Sequence, residues 1–228
     1  MKPNLHPLIL VPTLTLTAPA AVIDSFDLAG QALDSSLPGR WLNFGSPTGD
    51  FEAERRFMLT YGRTQTLETT SEGLLEYRID HPDPEVSGNT RGYFNVSYQF
   101  DTAVDLLADG ATAFMLQFAS GTVTANTGIA FPFTIEVGDQ RGRTAQRSLS
   151  VVPLFWESEG AFSVEIPFSF FTSWIDLSQV SSLDLDGYRI TPGASFQLDS
   201  ITTVPEPSWA WVSVLTFGSL AWQRRRVC

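Results

Sequence analysis

Between residues 21 and 203 the chain alternates apolar and polar positions with a period of two, and helical periodicity does not recur. Phe94, Val96, Tyr98 and Phe100 alternate with Asn95, Ser97 and Gln99, which gives one strand an apolar face and a polar face. Leu75, Tyr77 and Ile79 repeat the pattern, as do Phe114, Leu116 and Phe118; Phe131, Phe133, Ile135 and Val137; Phe162, Val164 and Ile166; Leu183 and Leu185; and Phe196 and Leu198. Turn residues punctuate these runs, among them Pro38-Gly39, Pro82-Asp83-Pro84, Asp109-Gly110, Gly138-Asp139 and Pro192-Gly193. Short strands at roughly ten-residue spacing, each with one apolar face, bury those faces most simply in two antiparallel sheets packed face to face. The expected fold class is therefore all-β, a two-sheet antiparallel sandwich over residues 21–203. Pro132 lacks a ladder donor, which predicts that its strand lies at a sheet edge or carries a bulge. Ala103 to Leu107 is the one internal stretch expected to form a helical turn.

The two ends break this alternation. Lys2 precedes an apolar run from Leu8 to Leu16, and Ala18 and Ala20 follow, the layout of a secretory signal peptide over residues 1–20, cut after Ala20 or Ala21. The alternative is a buried strand with an extended N-terminal tail. At the other end, residues 209–222 carry no charge and would span about 21 Å as a helix, against a hydrocarbon thickness of about 30 Å. Flanking residues favour a membrane span: Trp209, Trp211 and Trp222 suit the two interfaces, and Arg224, Arg225 and Arg226 form a cluster that the positive-inside rule keeps cytoplasmic. A terminal core helix is the competing reading. Leader and anchor both place the intervening residues on the exported side.

Val204-Pro205-Glu206-Pro207, followed by this short hydrophobic segment and the Arg cluster, resembles the PEP-CTERM sorting signal of exported proteins in Gram-negative bacteria, here over residues 204–228. That resemblance implies an exosortase as partner, transient anchoring in the inner membrane with the domain on the periplasmic side, cleavage near the Pro-Glu-Pro motif, and delivery to the cell surface or the extracellular biofilm matrix. The hydrophobic stretch is short for the pattern, and Cys228 follows the arginines. Three further segments resemble a galactose-binding-like jelly roll that binds carbohydrate: Ile23-Asp24-Ser25-Phe26-Asp27, Ile175-Asp176-Leu177-Ser178, and Ser195 through Ile201. This second resemblance implies a jelly-roll order of strands and a structural calcium that Asp24 or Asp27 and Asp199 would hold. No other cofactor is expected.

Charge narrows the partners. Residues 21–204 hold 10 Arg, no Lys and 24 acids, a net charge of −14. Nucleic acid is excluded as a partner, because it requires a basic face to displace counterions. A single cysteine rules out an internal disulfide. His81 is the only histidine after the leader, so histidine-dependent catalysis or a zinc site would have to use it, and a solvated loop is its default setting in Asp80-His81-Pro82-Asp83. Carboxylates spaced by two, Glu52 and Glu54, Glu157 and Glu159, Asp184 and Asp186, are candidates for glycoside hydrolysis if a pair converges in a cleft. Asp184 and Asp186 alternate with Leu183 and Leu185 and so read as solvent-facing. Trp156 and Trp174, in turn-rich stretches, are the candidate glycan contacts, with Trp41 and Tyr93 behind them, because an aromatic face matches the apolar face of a pyranose. Arg141, Arg143 and Arg147 could meet an acidic polysaccharide or offset neighbouring acids. The expectation is a non-enzymatic surface protein that binds extracellular polysaccharide; the alternative is a secreted glycan hydrolase or lyase on the same scaffold.

Overall fold

In a computed structural model of the protein, the described residues are 20–28, 30–34, 39–59, 65–79, 92–122, 132–150, 160–171, 173–190 and 193–205. Among the described residues, thirteen strands form two antiparallel sheets. One sheet contains β1 (Val22–Asp24), β2 (Ala32–Asp34), β5 (Gln65–Thr69), β6 (Leu75–Ile79), β8 (Ala111–Thr122), β11 (Phe162–Pro167) and β13 (Ser195–Pro205), ordered β11-β8-β13-β6-β5-β2. β1 pairs with β13 at Thr202 and Ile201, on the edge that β6 occupies further back along the same strand. The second sheet contains β3 (Leu42–Asn43), β4 (Ala53–Leu59), β7 (Gly92–Val104), β9 (Pro132–Asp139), β10 (Thr144–Ser150) and β12 (Val180–Ile190), ordered β10-β9-β12-β7-β4-β3.

The period-two pattern decides which face of each strand is buried. Phe94 and Phe133 from the second sheet meet Phe118, Phe196 and Tyr77 from the first, with Phe94–Phe196 centroids 5.2 Å apart and Phe133–Phe196 centroids 5.3 Å apart. Such tilted and edge-to-face pairs suit the ring quadrupoles and add about 0.5–1.5 kcal/mol each beyond area burial. Gly187 on β12 lies where any side chain would run into the Phe94 ring, so its missing Cβ is what admits the ring.

One inward position is charged. Arg55, on the buried face of β4 between Ala53 and Phe57, is fully enclosed. Its Nη1 donates to Asp24 Oδ2 at 2.5 Å and its Nη2 to Gln31 Oε1 at 2.6 Å, while the Phe26 and Phe57 rings flank the guanidinium at 5.7 and 5.4 Å. Asp24 is equally enclosed and also accepts from Tyr98 Oη and from the Phe26 and Thr48 backbone N–H groups. Phe26 takes a left-handed backbone conformation (φ 55°) to complete this corner.

Three expectations need correction. The strand holding Pro132 is internal, with β10 on one side and β12 on the other; Pro132 is its first residue and lies opposite Ser150, while the β12 ladder begins at Phe133, so the missing donor costs nothing there. The helical turn does not form at Ala103 to Leu107, because β7 continues through Val104, paired with Val180. Asp105 Oδ1 then accepts from the Leu107 N–H at 2.9 Å, and the 3₁₀ turns that follow lie at Ala108–Gly110 and Phe168–Phe170. The sandwich also extends beyond residue 203: Val204 and Pro205 are the last two residues of β13, opposite Ala113 and Ala111. Residues 1–19 of the leader expected over 1–20, Glu206, Pro207, the segment 209–222 and Arg224, Arg225 and Arg226 lie outside the described residues. Among the described residues, no helix is long and apolar enough to cross a membrane.

Candidate functional site

The outward faces of the two sheets differ in one respect that matters for sugar recognition. Where β11, β8, β13, β6 and β5 face outward, they present chiefly Ser, Thr, Gln and Glu, with Met115 the largest apolar side chain in the register rows. The second sheet presents tyrosines.

Register sets that face out in rows across the strands. One row runs Gln146, Glu136, Asp184, Ser97, Arg56 and Asn43, crossing all six strands from β10 to β3. Beside it runs Ser148, Thr134, Asp186, Asn95 and Met58. At the end of β12 beyond Asp186, Tyr188 lies directly opposite Tyr93. Directly opposed positions on antiparallel strands have Cβ atoms about 4.5–5.5 Å apart, so the two residues are neighbours across the strands. Tyr188 is 40% exposed and Tyr93 is half-buried.

Asp186 is held from β7: Tyr93 Oη donates to its Oδ1 at 2.7 Å and Asn95 Nδ2 to the same oxygen at 2.6 Å. Asn95 is only 5% exposed, and its Oδ1 has no hydrogen-bond partner. Burial lifts the Asp184 carboxyl above its usual range, opposed by a hydrogen bond from Ser97 and reinforced by Asp186. Glu136 is lifted too, by burial first and then by repulsion from Asp184 and Asp186. Partial burial and the Asp186 carboxylate likewise push the Tyr93 hydroxyl up. Glu54, on the same face, is hydrogen-bonded by Asn43 and ion-paired with Arg56. Among the described residues, no arginine pairs with Glu136, Asp184 or Asp186.

Trp174 stands at the β9–β10 end of this sheet, 58% exposed, its Nε1 donating to the Thr144 carbonyl at 3.3 Å. Two aspartates fix the loop that carries it. Asp139 accepts from Arg143 Nε at 2.7 Å and from the Arg143, Arg141 and Asp176 backbone N–H groups, contacts that lower its carboxyl to about 2 against the opposing effect of burial. Asp176 accepts the Ser178 hydroxyl at 2.7 Å and is lowered chiefly by it.

Other candidates from the sequence go elsewhere. Trp156, His81, Glu157 and Glu159 lie outside the described residues, and Trp41 is exposed on the segment leading into β3. Arg143 pairs with Asp139, Arg141 reaches the same carboxylate through its backbone N–H, and Arg147 lies 4.9 Å from the Phe170 ring. Asp24 and Asp199 do not meet: Asp24 is enclosed with Arg55, and Asp199 is exposed at a β13 bulge. Asp27 accepts the Ser25 hydroxyl. Among the described residues, no group of three or more His, Cys, Asp or Glu is placed to hold a metal ion. Glu136 and Tyr188 are members of the outer face that the sequence pattern does not single out, and it places Asn95 and Ser97 on a polar face without marking them as site residues.

The class this defines is an all-β two-sheet antiparallel sandwich that presents an acidic, tyrosine-bearing strand face. No protein-family profile matches the chain, and no curated protein matches it. Among solved structures it is similar to an agarase at 12% identity and a TM-score of 0.47, covering 83% of this chain and 27% of that one, so it spans about a quarter of the enzyme's length. It is also similar to a family 11 carbohydrate-binding module from Clostridium thermocellum solved with a β-1,3-1,4-mixed-linked tetrasaccharide (13% identity, TM-score 0.36, 82% of this chain and 97% of that one). A third similarity is to the family 30 carbohydrate-binding module of a cellulosomal cellulase from the same organism (16% identity, TM-score 0.41, 78% of this chain and 100% of that one).

Proposed function

We propose that the protein is an exported, non-enzymatic polysaccharide-binding sandwich whose contact surface is the outer face of the second sheet. The observation that carries this reading is the placement of Tyr93 and Tyr188 directly opposite each other at one end of this face, beside the carboxylates of Asp184 and Asp186. Tyrosine rings offer flat apolar surface to pyranose C–H groups, and the carboxylates accept from sugar hydroxyls.

Catalysis by Glu136 and Asp184 is the second reading, favoured by their adjacent positions and raised carboxyls. Geometry weighs against it. A glycosidase needs its two carboxyl groups on opposite sides of the scissile bond, about 5–9 Å apart. Asp184 is held by a hydrogen bond from Ser97 and Asp186 by Tyr93 and Asn95, within the sheet face and not across a cleft.

Delivery follows the same proposal: a leader over residues 1–20, and recognition of Val204, Pro205, Glu206 and Pro207 by an exosortase while residues 209–222 hold the precursor in the inner membrane. Support comes from the order of the three tail elements in the sequence. A glycan array probed with the exported protein tests the binding reading. Tyr188→Ala is expected to weaken every positive signal about tenfold, or roughly 1.4 kcal/mol. Signals indifferent to Tyr188 would defeat this assignment of the surface, and new reducing ends released from a bound glycan would replace it with the hydrolase.

A further inference from the structure

Resting on the leader of the export reading, we propose that Asp50 seats the amino terminus that leader removal creates, so that processing itself tightens β1 onto the sandwich. Asp50 and Val22 exchange two hydrogen bonds: the Asp50 N–H donates to the Val22 carbonyl at 2.7 Å, and the Val22 N–H donates to Asp50 Oδ2 at 2.6 Å. Gly49 permits that approach, because a Cβ there would fall 2.3 Å from the Ile23 carbonyl oxygen. From β13, the Thr203 N–H donates to the Ala21 carbonyl at 2.8 Å. The stretch that would become the amino terminus is therefore held from two sides, by the turn before β4 and by β13.

These contacts sit where the sequence places the cut. Cleavage after Ala21 turns the Val22 nitrogen, already 2.6 Å from Asp50 Oδ2 as a neutral donor, into an ammonium group. Cleavage after Ala20 puts the ammonium on Ala21, which lines the same cleft as Asp50. The charged side chains bordering that cleft are Asp50, Asp105 and Asp109, and Asp105 is turned to the Leu107 N–H. An intact leader offers Asp50 an amide; a processed chain offers it a positive charge, which strengthens the contact. β1 gains most from the exchange. It is three residues long and pairs with β13 alone among the described strands, yet it carries Asp24, the partner of the enclosed Arg55.

Lys2 is the only lysine, so once residues 1–20 are gone the α-amine is the one primary amine in the molecule, and acetylation of the exported protein blocks it alone. An acetylated terminus still carries an N–H, so the charge is removed and the hydrogen bond kept. The α-amine is expected to titrate at about 8.5, above its ordinary range of about 7.7–8.0, and Asp50→Asn should return it to that range. A raised folded value means that the added stability is complete below about pH 7.7 and is lost as pH rises through about 8.5. Acetylation should therefore lower the melting temperature by about 1–3 °C at about pH 6 and leave it unchanged at about pH 10. In the Asp50→Asn protein it should change nothing at either pH. A chain beginning at Ala21 or Val22 whose α-amine titrates in the ordinary range, or whose response to acetylation survives Asp50→Asn, overturns the role of Asp50 and leaves the leader standing. A chain that keeps residues before Ala20, or begins inside the sandwich, overturns leader and anchor together.

Discussion

Arg55 and Asp24 illustrate what one buried charge requires of its surroundings. Asp24 draws donors from Arg55, Tyr98, Phe26 and Thr48, so every oxygen of the carboxylate is used inside the core. Removing one member of such a pair leaves the other charged and enclosed, at a cost of about 3–5 kcal/mol. Asp24→Ala should lower the unfolding free energy by about that much in urea titration; a loss under about 1 kcal/mol would mean that Arg55 finds water or another acceptor. The guanidinium also occupies the place where a cation beside Asp24 would sit, so chelation of calcium is expected to leave the melting temperature unchanged. Glu136 works in the opposite sense. Its folded carboxyl is raised, so the folded state binds protons more readily than the unfolded one, and stability falls as pH rises past the ordinary glutamate value. Glu136→Gln should therefore stabilise the protein at pH 7, by an amount that fades below about pH 4. Equal gain at both pH values would show that packing, not charge, is the cause.

At the scale of elements, the β9–β10 hairpin is closed by Asp139. Because Arg143 and the backbone donors hold this carboxyl down near 2, its contribution is complete above the ordinary aspartate value of about 4 and is lost as pH falls through about 2. Amide exchange at Arg141 and Arg143, corrected for intrinsic rates, should accelerate across that interval, and protection unchanged at pH 2 would contradict the assignment. Strand identity at this scale was legible from alternation: the inward positions of β6, β7, β8, β9 and β13 are the ones whose rings fill the core. Pairing was not. Nothing local says that β12 lies between β7 and β9, and that neighbourhood is what brings Glu136 and Asn95 to Asp184 and Asp186. The sequence placed those aspartates on a polar face and could not show who shared it. Pro132 misled for the same reason, since an edge and the first position of an internal strand impose the same local demand on a proline.

For the whole molecule, the antiparallel pairing of β1 with β13 brings Val22 and Pro205 to the same end. There Ala20, Asp50, Asp105, Asp109 and Pro205 border a cleft of about 550 Å³. Under the proposed processing, intact-mass analysis of exported material should find a chain that begins at Ala21 or Val22 and lacks residues 209–228. A secreted product retaining Trp209 to Cys228 in a host with an active exosortase would rule out that route.

Pro205 is still in register with Ala111, so at most two residues separate the folded body from a join made after Glu206 or Pro207. At about 3.6 Å per extended residue, that leash reaches only some 7 Å. A sandwich grafted there would sit flush on its support like a fixed bracket, with no free arm to sweep for glycan, and would engage only strands of polymer that pass within its own width of the surface.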